Sequence, residues 1–302
     1  MIRKNVKQPL YVPTDSKGIE HAAAGRIVWQ LPAGGVGQVT ELGHPVVLRR
    51  PDALLDVLDE RIYRAESRND VKIAVDGTAV VPAARLVAQT YWDTGLATLF
   101  ALDCAEHILT DAGDVSLPDG TSLVDVIAFA RHVLDGISSE GTQRLGYLAR
   151  VRALRRLRHE RAEIADLSLR LVVGDEARDV DALDDASYTT VIPVTDSVLA
   201  AIEALRHHVL PEFYIDVEDA REEQKEHRDL DRPQPLSWKL ESTPLGVVEY
   251  GPRTLPYEPA WTAAREAARH ARLAAKDRLG AEGETSQRLW QATLLASILE
   301  QR

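Results

Sequence analysis

Two groups of side chains in this chain have the types and spacing to do chemistry. The first lies in LDCAEHILTD (102–111). At 100° per residue, Asp103, Glu106, His107 and Thr110 share one helix face, with Asp111 at its margin. In the next helical stretch Asp125 and His132 stand seven residues apart and also share a face. Were the two helices antiparallel neighbours, Asp103, His107, Asp125 and His132 would converge. Two imidazoles and two carboxylates can hold a divalent metal for hydrolysis, or form an acid–base pair. Bundle metal sites usually place Glu and His three residues apart. Here Asp103 and His107 are four apart, and no ExxH motif repeats. The plainer alternative is the solvated end of a core helix.

The second group is electrostatic. In WTAAREAARHARLAAKDRLG (261–280), Arg265, Arg269, Arg272 and Lys276 fall at i, i+4, i+7 and i+11. They predict one straight basic face, with Trp261 at its head and Ala264, Ala268, Ala271 and Ala275 opposite. Such a ridge suits a phosphate backbone or an acidic partner surface. A solvated face with internal ion pairs is the competing reading. Arg150, Arg152, Arg155, Arg156, Arg158 and Arg161 make a second basic patch, wrapped around its helix.

Other patterns carry less. Arg and His with four to six residues between them, a spacing used by some small helical ribonucleases, occur as Arg265/His270, Arg221/His227 and Arg152/His159. Three pairs is about the chance number for a chain this rich in Arg, so they assign nothing. Gly34-Gly35-Val36-Gly37 lacks the Lys-Ser/Thr of a phosphate-binding loop and reads as a turn. His207-His208 near Glu212, Asp216 and Glu218 reads as a helix end. Asp179, Asp181, Asp184 and Asp185 lack calcium-loop spacing. The single cysteine, Cys104, excludes an internal disulfide and a multi-cysteine zinc site, and its apolar setting predicts a buried thiol.

The elements that must position these groups follow from periodicity and punctuation. GRIVWQLP (25–32) and HPVVLRR (44–50) have strand composition, and Pro51 opens a short helix through Arg61. VKIAVDGTAVVP (71–82) predicts a hairpin with a two-residue turn at Asp76-Gly77. A long helix, apolar nearly all round, is expected over 83–112. Another spans about 122–135, with Ser122 and Asp125 as a capping box and Gly136 at its end. A third runs over about 141–172.

TTVIPV (189–194) has the look of a short strand, after which Asp196 or Ser197 would cap a helix through His208. The stretch 216–232 is charged throughout, either helix or linker. LSWKLES and GVVEYG, within 236–250, could pair as a hairpin. Pro259 at the first helical position and Gly280 frame one C-terminal helix. A second is expected from Thr285 or Ser286, burying Leu289, Trp290, Leu294 and Ile298.

The fold class is therefore α+β and predominantly helical: a central antiparallel bundle with small β elements near the N-terminus and around 236–250. A β-containing segment 1–82, a helical core 83–230 and a Pro-rich segment with two helices over 231–302 are expected to dock as one unit. Composition is globular, with 45% hydrophobic and 27% charged residues. A net charge of −11 disfavours nucleic acid, although local basic stripes could still contact it. No apolar run spans a bilayer and no signal core follows the basic N-terminus, so cytoplasmic residence without a membrane is the expectation.

Three functions compete. The first is a non-catalytic interaction or assembly subunit with a protein partner or a second copy of itself. The second is a metal-dependent hydrolase or nuclease using the four-residue set. The third is a nucleic-acid-associated protein using the 265–276 ridge.

Overall fold

The structure is a computed structural model, and it describes residues 9–20, 27–31, 45–67, 71–112, 115–117, 119–136, 143, 145–159, 185–206, 242–243, 246–247 and 259–300. It is α+β and mostly helical. Among the described residues seven short strands precede the long helices: β1 (Leu10–Thr14), β2 (Ile19–Glu20), β3 (Ile27–Val28), β4 (Val46–Arg49), β5 (Arg61–Glu66), β6 (Thr78–Val81) and β7 (Arg85–Gln89). Between β4 and β5 lies the short helix α1 (Pro51–Leu54). Strands β6, β4, β1, β5 and β7, in that order, form one antiparallel sheet, and β2 pairs with β3 beside it.

Alternation along the strands gives the sheet two apolar faces. Leu10, Val12, Val46, Leu48, Tyr63 and Leu86 pack with Ile27 and Trp29 of the β2–β3 ribbon. Tyr11 and Ile62 point the other way and join Leu54, Leu55 and Leu58 in the helical core. Under the ribbon, Glu20 is enclosed: Arg49 Nη1 donates to its Oε1 at 2.6 Å and Trp29 Nε1 to its Oε2 at 3.0 Å.

The helical half consists of α2 (Thr94–Ala112), α3 (Leu123–Leu134), α4 (145–159), α5 (Asp185–Ala204) and α6 (Ala260–Glu300). Helix α6 is two arms. Its only non-helical residue is Gly280, at φ 68° and ψ −157°, and the chain folds back there. Pairs nearly symmetric about Gly280 show this. Arg272 Nη1 donates to Gln291 Oε1 at 3.0 Å, Gln291 Nε2 donates to the Ala268 carbonyl at 2.9 Å, and Lys276 meets Glu284 at 3.0 Å. A Cβ at Gly283 would stand 2.3 Å from the Ala275 carbonyl, so the arms touch backbone to backbone.

The first arm is central. Ala260, Ala263, Ala264, Ala267, Ala268, Ala271, Ala274 and Ala275 are all buried, against α2, α5 and the second arm. Thr98 Oγ1 donates to the Ala204 carbonyl at 3.0 Å and Ser197 Oγ to the Ala267 carbonyl at 2.9 Å, which locks α2 to α5 and α5 to α6.

Several expected elements differ. The long helix over 83–112 is two elements: Arg85–Gln89 is strand β7, paired with β5, and the helix begins only at Thr94. Asp93 caps it, its carboxylate accepting from the Leu96 N–H at 2.8 Å. The segment expected as a strand at 189–194 lies inside α5, and Asp196 and Ser197 are helix-interior residues rather than caps. Every residue from Val194 to Leu205 is buried, so there is no polar face to reveal a helical period.

The turn after residue 74 forms, but with three residues. Ala74 N–H donates to the Thr78 carbonyl and Gly77 N–H to the Ala74 carbonyl, with Gly77 at φ 81°. Only its second run is a strand, and that strand pairs with β4. Helix α1 stops at Leu54, because Arg61 is needed in β5. Pro259 is the residue before α6, its carbonyl accepting from Thr262 and Ala263. The second arm starts straight after Gly280, ahead of Thr285, and turns Leu289 outward while Gln287, Gln291 and Leu295 go inward.

Other expectations hold. Ser122 and Asp125 form the reciprocal capping box of α3, and Gly136 follows at φ 69°. A hairpin exists within 236–250, reduced to β8 (Ser242–Thr243) and β9 (Gly246–Val247). The segment 216–232, His207 and His208, and Gly34 to Gly37 lie outside the described residues.

Candidate functional site

The structure gives the four candidate metal ligands four different settings. Asp103, with Glu106, takes the guanidinium of Arg131, reaching across from α3. His107 stacks on Trp290 of α6, ring centroids 3.8 Å apart, and its Nδ1 meets Gln287 Oε1 at 2.8 Å. Asp125 is spent on the cap of its own helix, and His132 is exposed on α3. The pairing of α2 with α3 therefore brings Arg131, not His132, to the carboxylates. Among the described residues no three His, Cys, Asp or Glu side chains are placed to hold a metal ion. Cys104 is buried, and burial pushes its thiol well above the usual range.

The basic ridge is broken in its middle. Arg272 is 5% exposed and is held by Asp56 at 2.5 Å and by Gln291. Asp56 also accepts from Arg288 at 2.7 Å, tying the loop after α1 to both arms of α6. Trp261 packs against the core. Of the outward residues, Arg269 pairs with Glu266 at 3.0 Å, Lys276 with Glu284, and Arg265 lies 3.9 Å from Glu266. The physical reason is the alanine stripe. It is wider than the opposite face alone, so the helix sits deep enough to take Arg272 inside.

The arrangement with most chemical content lies where α4, α5 and α6 meet. Asp196 of α5 and His270 of α6 are 5% and 8% exposed. His270 Nδ1 is 3.8 Å from Asp196 Oδ2, and its Nε2 is 3.8 Å from Glu266 Oε2. Arg158 of α4 places Nε 2.7 Å from Asp196 Oδ1. His270 Nε2 has no hydrogen-bond partner. Burial pushes the Asp196 carboxyl up to about 6, against the pull of the Arg158 charge. Burial, with Arg269 and Arg158 adding to it, depresses the His270 imidazole to about 4.

Such a pair can hold one proton and pass it between a carboxyl and an imidazole. The hydroxyl of Ser197, next to Asp196, is engaged with the Ala267 carbonyl, so it does not serve as a nucleophile beside the pair.

A second polar knot lies about two turns along α5, between that helix and α4. Tyr147 Oη donates to Glu203 Oε2 and Arg155 Nη2 to Glu203 Oε1, both at 2.9 Å. Burial, then the Glu203 charge, raises the Tyr147 hydroxyl well above its usual range.

Sequence reasoning took Asp196 as a helix cap and met His270 only in an Arg/His spacing at chance level. One signal was available: Asp196 and Glu203 are the only acids in the run VTDSVLAAIEAL (194–205), and an acid isolated in an apolar run must find a partner. No protein-family model matches the chain, and no curated protein or solved structure is similar to it.

Proposed function

We propose that the chain works as a non-catalytic interaction or assembly subunit, and that the outer edge of β6 is its contact with a protein strand. One observation carries this reading. Strand β6 ends the five-stranded sheet, and no described strand pairs with its outer side. Val80 on that strand is 69% exposed, although its neighbour across the ladder, Val47, is half-buried. Ile73 and Val75, on the approach to the same strand, are exposed as well.

Among the described residues, the helical cover that buries Tyr11 and Ile62 stops short of this edge. Apolar side chains on an uncovered edge strand invite strand addition, and proteins that stay monomeric usually place charge or proline there. Asp103, His107, Asp125 and the ridge residues are instead engaged within the chain, so neither the metal-hydrolase nor the nucleic-acid alternative has a comparable observation behind it.

The test compares wild type with Val80→Lys by size-exclusion chromatography with light scattering, and by pull-down from the native host. The expected outcome is an oligomer or a co-purifying protein that the substitution removes. A strictly monomeric wild-type protein with no partner and a measurable turnover would overturn the reading.

A further inference from the structure

The two arms of α6 differ from one continuous helix at a single residue. Gly280 sits at φ 68°, ψ −157°, a region that only glycine occupies readily, and helix runs on both sides of it. A Cβ at position 280 would touch nothing within 4 Å, so no packing at that residue itself enforces the turn. The hinge is solvent-facing: Lys276 to Glu282 are all exposed. The second arm, by contrast, is an integral part of the core. Gln287, Gln291, Ala292, Leu295, Ile298 and Leu299 are buried against α2 and the first arm.

We propose that α6 is an exchange arm: by rotating at Gly280 into one continuous helix, it docks residues 281–300 onto a second copy of this chain, which returns its own arm in the same way. The occupant of the vacated surface is fixed by identity. The partner's arm brings the same Gln287 to His107, the same Arg288 to Asp56 and the same Gln291 to Arg272 and Ala268. Every contact of the closed form is remade, so closed monomer and exchanged dimer differ only in the hinge and in the entropy of association. In the exchanged form Gly280 becomes helical. That removes a left-handed turn and adds the hydrogen bonds of a helix about 60 Å long. The inference deepens the assembly reading by naming a second copy as partner, but it uses a different surface from β6.

Substitution at the hinge tests it. Gly280→Ala strains the turn and favours the straight helix, so the dimer dissociation constant should fall at least tenfold relative to wild type. Lys276 and Glu284, 3.0 Å apart across the hinge, report which chain each arm belongs to. A mixture of equal light and nitrogen-15-labelled full-length protein is refolded together and treated with a carbodiimide. Trypsin then separates the two linked peptides, because Arg278 lies between them. In exchanged dimers about half of the Lys276–Glu284 links join a light peptide to a heavy one.

A dimer fraction in which every such link joins like to like would overturn the proposal while leaving the β6 reading untouched. So would a folded Gly280→Ala protein that stays monomeric at the concentrations where wild type does. Should that variant not fold, the wild type refolded at high concentration decides by the same isotope readout. Val80→Lys, which acts at the other surface, leaves the mixed links unchanged if the arm exchanges.

Discussion

Two buried carboxylates in this protein are treated in opposite ways. Glu20, under the β2–β3 ribbon, has a donor on each oxygen: Arg49 at 2.6 Å and the Trp29 indole at 3.0 Å. Asp196, in the bundle, has Arg158 beside one oxygen, and its other oxygen faces His270 at 3.8 Å, beyond hydrogen-bond reach. Both are almost closed to water. The difference teaches that burial alone does not define what a charged group does. A carboxylate with both oxygens paired is a clamp, because removing one partner strands a charge. A carboxylate with a half-made set of bonds is free to trade its charge for a proton.

The largest effect should come from breaking the clamp. Arg49→Met leaves Glu20 enclosed and short of its main donor, and is expected to cost about 3–5 kcal/mol in urea unfolding. Adding Glu20→Gln should recover most of that. If Arg49→Met alone is nearly neutral, the two clusters are not different in kind.

The second effect sharpens the other side. The Asp196 carboxyl is raised from 3.8 to about 6 in the folded protein, so its contribution to stability is present at low pH and lost as pH rises through about 6. The His270 imidazole is depressed from 6.5 to about 4, so its contribution is present above 6.5 and lost as pH falls toward about 4. Between pH 4 and 6 the two slopes oppose. Folding then moves one proton from the imidazole to the carboxyl without net uptake. The pair should therefore add almost no pH dependence to the wild type in this window.

Single substitutions uncover each half. Asp196→Asn should gain about 2–3 kcal/mol as pH rises from 4 to 6.5, and His270→Gln should lose a similar amount from 4 to 6. Unfolding followed at several pH values checks both. Parallel slopes in the two variants would sink the idea.

A third, smaller effect asks whether the bundle can also build a satisfied knot. Tyr147→Phe removes the hydroxyl donor to Glu203 while Arg155 remains, and should cost about 1 kcal/mol without a slope between pH 4 and 8. Smallest is the exposed pair at the hinge. Lys276→Ala should change stability by less than about 0.5 kcal/mol, because solvent screens that pair.

Much of the fold was legible where local chemistry decides it. The Ser122/Asp125 box lies within four consecutive residues and forms as expected. The Asp76-Gly77 turn was visible too, although its loop length was not, because Gly77 takes a left-handed bulge position that the two-residue pattern does not distinguish. Elements went astray where a neighbour distant in sequence decides the conformation. Residues 85–89 and 189–194 are both rich in branched side chains. The first became strand because β5 offers it a ladder, and the second became helix because α2 and α6 surround it. Neither neighbour is written in the local sequence.

The candidate site was less legible for the same reason. Helical spacing predicted a shared face for Asp103 and His107, but which partners meet it depends on neighbouring helices: α3 brings Arg131 to Asp103, and α6 brings Trp290 and Gln287 to His107. Arg272 was assigned to a surface ridge by its period. A wide alanine stripe outweighs period, since it buries whatever lies at its margin.

That stripe has a thermal consequence. Alanine loses no rotamer freedom on burial and removes little apolar area from water. The heat capacity of unfolding follows the apolar area exposed. With its central helix lined by eight buried alanines, this protein should show a calorimetric increment below the usual ~12–15 cal/mol/K per residue. Its stability then varies weakly with temperature, declining as gently on cooling as on warming.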